Sequence, residues 1–241
     1  MKKEIKNNKI LIISVIAIIS IIIIFFIVNN QNDDKQETAK ITTKQVNNKN
    51  DNIIIDQSNK FLEILKNDHV LGERNAKVRI IEYASMSCPH CAEFYTNGFE
   101  NLQAYIDSGE VSLIYRDFPL NGPALAGAVA AKCYYNKVKQ DYKYHNFVKT
   151  LFKHQEKWAF TPNFIEKLKE ISSIQGISNE ELTKCFEDKE MQKNIVTIAK
   201  EASTSLNIKS TPTFIINGEV VSGYKGWDIL SEIIDRKLED K

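Results

Sequence analysis

The sequence predicts an α/β fold in which a helical segment interrupts a sheet. The first observation is a strand, a helix and a second strand in succession between residues 78 and 116, around a pair of cysteines. The second is a stretch at 121–206 with helical periodicity and no convincing strand. The third is the return of strand character at 213–221, where a hairpin turn is predicted.

The chain begins with a basic segment that is followed by a long apolar one. Residues 10–28 are apolar except for two serines, and at about 1.5 Å per residue they cover nearly all of a ~30 Å hydrocarbon core. The lysine-rich flank predicts a cytoplasmic N-terminus and export of everything that follows. Residues 1–28 are therefore a membrane anchor or a signal peptide. The missing small-x-small cleavage motif favours the anchor.

Residues 29–52 are rich in Asn, Gln, Asp, Lys and Thr and poor in large apolar side chains. This composition predicts a polar, flexible tether. The remaining residues, 53–241, are enough for one sizeable domain. The 241-residue chain carries 32 basic and 31 acidic side chains, so its charge gives no case for binding nucleic acid.

The first elements of the domain alternate between helix and strand. Apolar spacing predicts a short amphipathic helix at 53–66 and a central strand at 78–83. A helix at 92–106 and a second strand at 111–116 follow. The strand–helix–strand order predicts parallel pairing with a right-handed crossover.

The rest of the domain is first helical and then returns to strands. Apolar residues recur at helical spacing through about 121–206, which predicts a helical insertion. Strands are predicted at 213–216 and 219–221, because the intervening Asn-Gly is typical of a tight hairpin turn. A helix at 227–238 closes the chain.

The sequence Cys88-Pro89-His90-Cys91 lies where the first predicted strand passes into a helix. Backbone N–H groups at a helix N-terminus favour negative charge, which lowers the pKa of Cys88 and makes it a thiolate near neutral pH. Pro89 suits the first helical position, where its missing N–H costs nothing. Cys91 lies one turn later and can close a small disulfide with Cys88. The motif predicts a thiol–disulfide redox centre.

Two cysteines at this spacing are also half of a tetrahedral zinc site, which needs a second pair of ligands. The other two cysteines, Cys133 and Cys185, belong to no second C-x-x-C motif, and the remaining histidines lack ligand spacing. The pattern therefore favours redox chemistry over zinc, and no metal is predicted.

Three separated segments carry a resemblance to a known family. They are 82–91, with its Cys-Pro-His-Cys, Arg-Asp-Phe-Pro-Leu at 116–120, and Ser-Thr-Pro-Thr-Phe at 210–214. On these residues the chain, from about residue 71 to its end, resembles the DsbA-like branch of the thioredoxin superfamily. It is most similar to the exported or membrane-tethered bacterial thiol oxidoreductases. The resemblance implies a thioredoxin-like fold with an inserted helical domain.

The resemblance implies a thiol:disulfide oxidoreductase that introduces disulfide bonds into exported proteins without a cofactor. It implies a periplasmic location, with a tether to the inner membrane if residues 10–28 are retained. Its partners would be unfolded or newly exported proteins and a membrane redox protein that reoxidises the cysteines. We expect a monomer because the tether is too polar for a dimerisation domain. Two alternatives remain open: a disulfide reductase or isomerase, and a chaperone-like module that binds unfolded chains.

The resemblance also implies roles for the residues of the motif. Cys88 would be the nucleophile that exchanges with substrate, and Cys91 the partner that resolves the mixed disulfide. Pro89 and His90 would tune the couple, the imidazole by stabilising the Cys88 thiolate. The alternative for His90 is a solvated loop histidine.

Two positions outside the motif receive roles in the same way. Pro212 matches the cis-proline that packs opposite the disulfide in this superfamily, and it would leave the Thr211 backbone free to pair with substrate. The alternative is a trans proline that opens a strand. Glu82 would be a buried acid that relays the proton of Cys91, with Arg116 as a candidate counter-charge. The alternative for Glu82 is a solvated position on the strand.

If Cys88 pairs with Cys91, then Cys133 and Cys185 are the pair that remains. In an oxidising compartment they are a candidate structural disulfide, which closes a loop of about fifty residues and stabilises by about 3–4 kcal/mol. The alternative is two buried free thiols that act as small hydrophobes.

Overall fold

The computed structural model describes residues 59–240. The predicted membrane segment or signal peptide at 1–28 and the predicted tether at 29–52 lie outside the described residues. Within 59–240, no helix is both long and apolar enough to cross a membrane.

A five-stranded sheet in the order β1-β3-β2-β4-β5 organises the described residues. Its strands are β1 (Val70–Leu71), β2 (Val78–Ala84), β3 (Val111–Asp117), β4 (Thr213–Ile216) and β5 (Glu219–Ser222). β2 and β3 pair in parallel, and the other neighbours are antiparallel. The predicted strands and the hairpin are confirmed. β1 is too short for its alternation to be recognised in the sequence.

Nine α-helices lie within the described residues. They are α1 (Pro89–Asn97), α2 (Phe99–Asp107), α3 (Gly122–Val138), α4 (Asp141–Lys153), α5 (Gln155–Trp158), α6 (Phe164–Ile174), α7 (Asn179–Glu187), α8 (Lys189–Leu206) and α9 (Trp227–Glu239). Helices α3 to α8 lie between β3 and β4 in the chain. The predicted α/β fold with a helical insertion is therefore confirmed.

The side chains of β2 point alternately to the two faces of the sheet, and each face is covered by one part of the core. Ile80 and Ala84 belong to the larger cluster, together with α1 and most of the insertion. Ile81 and Tyr83 belong to the cluster on the opposite face of the sheet, which includes the first described residues and the end of α8. Because successive strand residues point to opposite faces, Glu82 faces the larger cluster. That cluster also contains Cys91.

The helix predicted as one element at 92–106 consists of two helices that meet at Gly98. The prediction of one continuous helix is wrong, and the break falls at a glycine, which favours a helix interior less than almost any other residue. The glycine also leaves room for Tyr224, because a Cβ on Gly98 would lie 2.6 Å from the hydroxyl oxygen of that residue.

The helix predicted at 53–66 is also wrong over its described part, 59–66. Only a 3-10 turn at Lys60–Leu62 forms there. The Arg116 guanidinium donates to the carbonyl oxygens of Phe61 and Glu63, at 2.6 Å each. These carbonyls are therefore engaged by a distant side chain and do not propagate a helix.

Candidate active site

The redox motif lies at the junction between β2 and α1. Cys88 is the N-cap of α1 in an extended conformation, and Pro89 occupies the start of the helix. The Cys88 carbonyl accepts hydrogen bonds from the N–H groups of Cys91 and Ala92, at 3.1 and 3.2 Å. The N–H groups at the N-terminus of α1 favour negative charge on the Cys88 sulfur.

The two thiols of the motif lie in different environments. Cys88 is half-buried, whereas Cys91 is fully buried, and both are free thiols in the structure. A hydrogen bond from the Cys91 thiol is the largest influence on the pKa of Cys88. With Thr211 and the backbone N–H groups of Cys91 and His90, it lowers that pKa to about 5 against the effect of burial. Burial raises the pKa of Cys91 far above its ordinary value, and the charges of Glu82 and Cys88 add to the effect.

A second segment, immediately before β4, contacts the motif. The Thr211–Pro212 peptide bond is cis. The Cys88 thiol donates to the carbonyl oxygen of Thr211, with 3.2 Å between sulfur and oxygen. The buried Thr211 hydroxyl has no hydrogen-bond partner among the described residues. It is therefore free to donate to the sulfur once Cys88 loses its proton.

The side chain of His90 lies on the surface and is 72% exposed. Its Nδ1 lies 3.4 Å from a carboxylate oxygen of Glu93, one turn further along α1. The backbone N–H of His90 is among the groups that lower the Cys88 pKa.

Glu82 is fully buried on the face of β2 that packs against α1. The Tyr95 hydroxyl donates to its Oε2 at 2.8 Å, and Oε1 has no hydrogen-bond partner among the described residues. Burial raises the pKa of Glu82 to about 8, although the hydrogen bond from Tyr95 opposes the rise. The carboxyl group is thus able to hold or release a proton near neutral pH.

Arg116 does not meet Glu82. It lies on the other face of the sheet, where its guanidinium forms a buried ion pair with Asp68 at 2.7 Å and donates to the Tyr83 hydroxyl at 2.6 Å. The polar partner of Glu82 is instead Tyr95. The sequence alone gives no sign of this contact, because a tyrosine in an aromatic-rich helix is equally typical of a packed core.

Gln155, the first residue of α5, is a further site residue that the sequence does not reveal. Its side chain is buried, and its amide nitrogen donates to the carbonyl oxygens of Met86 and Cys88 at 3.0 and 2.9 Å. The helical insertion is thereby hydrogen-bonded to the loop that carries the redox motif.

The remaining cysteines form a disulfide away from this centre. Cys133 on α3 and Cys185 on α7 are bonded with an S–S distance of 2.03 Å and a Cα–Cα distance of 6.0 Å. The bond joins two helices of the insertion. Across residues 59–240, no group of three or more His, Cys, Asp or Glu side chains is arranged to hold a metal ion.

The family model described as Thioredoxin matches residues 65–236, which include both cysteines of the motif and the Thr211–Pro212 segment. The chain belongs to the thioredoxin family. Its similarity to DsbA proteins in sequence and structure confirms the DsbA-like resemblance within that family.

Two relatives illustrate the similarity in sequence. A Rickettsia typhi protein, provisionally named a protein-disulfide oxidoreductase, is 30% identical over 180 residues, covering 74% of this chain and 65% of its own length. Disulfide bond formation protein D of Bacillus subtilis is 28% identical over 182 residues, covering 73% of this chain and 80% of its own. The chain spans 62–67% of the length of five such Rickettsia proteins.

Two solved structures illustrate the similarity in fold. The crystal structure of alpha-DsbA1 from Wolbachia pipientis has a TM-score of 0.69 and 30% identity, and the match covers 74% of this chain and 94% of that one. Oxidised BdbD from Bacillus subtilis has a TM-score of 0.66 at 24% identity, covering 74% and 96% of the two chains. This thioredoxin-family chain therefore has the predicted thioredoxin-like fold with a helical insertion.

Proposed function

We propose that the chain is a thiol:disulfide oxidoreductase that introduces disulfide bonds into exported proteins through Cys88 and Cys91. The difference between the two thiols carries the proposal: Cys88 is half-buried with a pKa near 5, and Cys91 is buried with a raised pKa. A stabilised Cys88 thiolate favours the reduced form, which makes the disulfide a strong oxidant. Relatives named for disulfide bond formation and protein-disulfide oxidoreduction support the same activity.

In the proposed reaction, a substrate thiolate attacks Cys88 Sγ. The Cys88–Cys91 bond breaks, and its electron pair moves to Cys91 Sγ, which takes up a proton. A second substrate thiolate then attacks the substrate sulfur of the mixed disulfide, and Cys88 leaves as a thiolate. The substrate loses two electrons and gains a disulfide, while Cys88 and Cys91 are left reduced.

Residues around the couple would assist each step. Glu82, protonated below its pKa of about 8, would supply the proton to Cys91. The backbone at Thr211, beside the Cys88 sulfur, would pair with an extended substrate, and Pro212 would fix the course of the chain there. His90 would tune the couple through its backbone N–H. Pro89 would do so by starting helix α1 at the sulfur.

The proposal extends to location and partners. Residues 1–28 would be a membrane anchor or a signal peptide, 29–52 a tether and 53–241 the catalytic domain in the periplasm. Each turnover leaves the cysteines reduced, so a membrane redox partner must accept two electrons. A monomer is sufficient for the reaction, since all the site residues come from one chain. The Cys133–Cys185 bond would brace the insertion.

The test is transfer of a disulfide from the oxidised full-length protein, kept in detergent, to a reduced unfolded protein. We expect transfer by the wild type and by the double variant Cys133→Ala/Cys185→Ala, and none by Cys88→Ala. Equilibration with glutathione should give a reduction potential of about −120 mV. A value of about −270 mV would assign a reductase instead. Suppression of aggregation by Cys88→Ala, without any transfer by the wild type, would point to a binding module.

A further inference from the structure

The buried acid of the site has one specific hydrogen-bond donor, the Tyr95 hydroxyl, which lies 2.8 Å from Glu82 Oε2. Both side chains are fully buried. Tyr95 follows Cys91 by four residues, so the donor and the buried thiol project from the same side of α1. A hydrogen bond between fully buried groups is not shared with solvent.

Packing holds the Tyr95 ring in place. The ring stacks on Phe152 of α4, with 4.4 Å between centroids and 9° between planes, and on Phe99 of α2 at 5.2 Å and 21°. A tyrosine ring stacked on two neighbours can turn its hydroxyl hydrogen but cannot move its oxygen. The position of the donor is therefore set before any reaction begins.

The two oxygens of Glu82 are not equivalent. Oε2 accepts from Tyr95, whereas Oε1 is buried without a hydrogen-bond partner among the described residues. Glu82 faces the core cluster that contains Cys91, and its charge raises the pKa of that thiol. Oε1 is the carboxyl oxygen that no hydrogen bond engages, so it is the one available for proton exchange.

We infer that Tyr95 is a positioning residue for Glu82: its hydroxyl holds Oε2 and leaves Oε1 free to exchange a proton with Cys91. The inference rests on the proposed function. When a substrate thiolate bonds to Cys88 Sγ and the disulfide breaks, the electron pair passes to Cys91 Sγ. Cys91 takes the proton from Oε1 and becomes a thiol, and Glu82 becomes a carboxylate. The Tyr95 hydroxyl stabilises this buried charge.

Other groups around Glu82 do not take over this role. Tyr115 of β3 pairs with Glu82 in register and is ionisable, but its buried hydroxyl has no hydrogen-bond partner among the described residues. Phe214 of β4, the register partner on the other side, does not ionise. On α1, Cys88 and Cys91 are the other ionisable groups that interact with Glu82. Within 59–240, Tyr95 is thus the one side chain that hydrogen-bonds the acid.

The variant Tyr95→Phe tests the inference, because it removes the donor and keeps the ring. The measurement is the ¹³C NMR titration of the Glu82 carboxyl carbon in the reduced full-length protein, with its signal assigned by Glu82→Gln. We expect a midpoint near pH 8 in the wild type. Loss of a hydrogen bond to a charged group should raise the midpoint in Tyr95→Phe by about one to two pH units.

Tyr144→Phe is the matched control. It also removes a hydroxyl from a fully buried tyrosine of the same cluster, but this hydroxyl has no hydrogen-bond partner among the described residues. Its Glu82 midpoint should stay at the wild-type value. If Tyr95→Phe and Tyr144→Phe give the same midpoint, Tyr95 only fills the core and the inference is overturned.

A second substitution keeps the test available if Tyr95→Phe does not fold. 3-Fluorotyrosine introduced at position 95 retains the hydroxyl and makes it a stronger donor, so the Glu82 midpoint should move downward. An unchanged or raised midpoint would contradict the inference. Disulfide transfer by the wild type distinguishes failure of the proposed function from failure of the proposed role of Tyr95. If the wild type transfers no disulfide, the proposed function fails, whereas transfer with an unmoved midpoint refutes only the role of Tyr95.

Discussion

The charge on Cys88 depends on donors from one helical turn and from Thr211, which lower its pKa to about 5. The thiolate attacks alkylating agents and the thiol does not. In the reduced full-length protein, we therefore expect the rate of Cys88 alkylation by iodoacetamide to rise through a midpoint near pH 5. Cys91→Ala removes the hydrogen bond that lowers the Cys88 pKa most, so it should move this midpoint upward. An unchanged midpoint would show that the Cys91 thiol does not stabilise the thiolate.

The same ionisation affects stability. The folded pKa lies below the ordinary value of 9.0, so between pH 5 and 9 the unfolded reduced chain binds more protons at Cys88. The Cys88 thiolate contributes its full stabilisation above pH 9, and this contribution is lost as the pH falls through 5. The oxidised protein, in which Cys88 does not titrate, is the control. In urea, the stability of the reduced form relative to the oxidised form should rise across this window.

Single residues differ in how well the sequence reveals them. Cys88, Cys91 and Pro212 stand in contiguous motifs whose chemistry depends on near neighbours, so their candidacy can be recognised from the sequence. Tyr95 and Gln155 act through contacts with Glu82 and with the carbonyls of the redox loop. Those contacts form only when distant segments fold together, and a local pattern does not specify them.

At the level of elements, α3 packs tightly against the redox loop at Gly127. A Cβ there would lie 2.7 Å from a ring carbon of Trp158 and 2.9 Å from the Cβ of Met86. Overpacking of this kind costs about 1–3 kcal/mol and exceeds the gain in helix propensity. We expect Gly127→Ala to lower the free energy of unfolding in urea by about 1–2 kcal/mol.

Gly122, in the first turn of the same helix, is the matched control for Gly127. A Cβ on Gly122 would meet no atom within 4 Å. Gly122→Ala should therefore change the stability less than Gly127→Ala does, because its added methyl group meets no atom. Equal stabilities of the two variants would show that the contact with Trp158 and Met86 relaxes without cost.

Elements with strong periodicity were predictable, namely the strands β2 and β3 and the helical insertion. The boundaries that failed lie where distant segments meet. The break at Gly98 lies beside the hydroxyl group of Tyr224, more than a hundred residues further along the chain. Within the segment 59–66 only a 3-10 turn forms, and the Arg116 guanidinium donates hydrogen bonds to two carbonyl oxygens of the segment. Local spacing describes the apolar face of a segment, but not which distant group competes for its backbone.

Across the whole molecule, Arg116 joins the beginning of the described chain to the sheet. Its guanidinium and the carboxylate of Asp68 are both buried, at 2.7 Å. It also donates to the Tyr83 hydroxyl and to the carbonyls of Phe61 and Glu63. The contacts to Phe61 and Tyr83 are buried, and those to Glu63 and Asp68 are partly buried. Removing the arginine therefore leaves a buried charge and several buried acceptors without their donor.

We expect Arg116→Leu to lower the free energy of unfolding by about 3–5 kcal/mol, because Asp68 remains buried without its counter-charge.

The matched control is Arg236→Leu. Arg236 also pairs with a carboxylate, that of Glu219 at 2.8 Å, but its side chain is 49% exposed. An exposed pair contributes about 0–1 kcal/mol, so the control should lose far less in the same urea titration. Similar losses for the two variants would mean that Asp68 finds water or another donor when the arginine is gone. The first described residues would then be held to the sheet chiefly by the packing of Phe61 and Leu62 and not by this network.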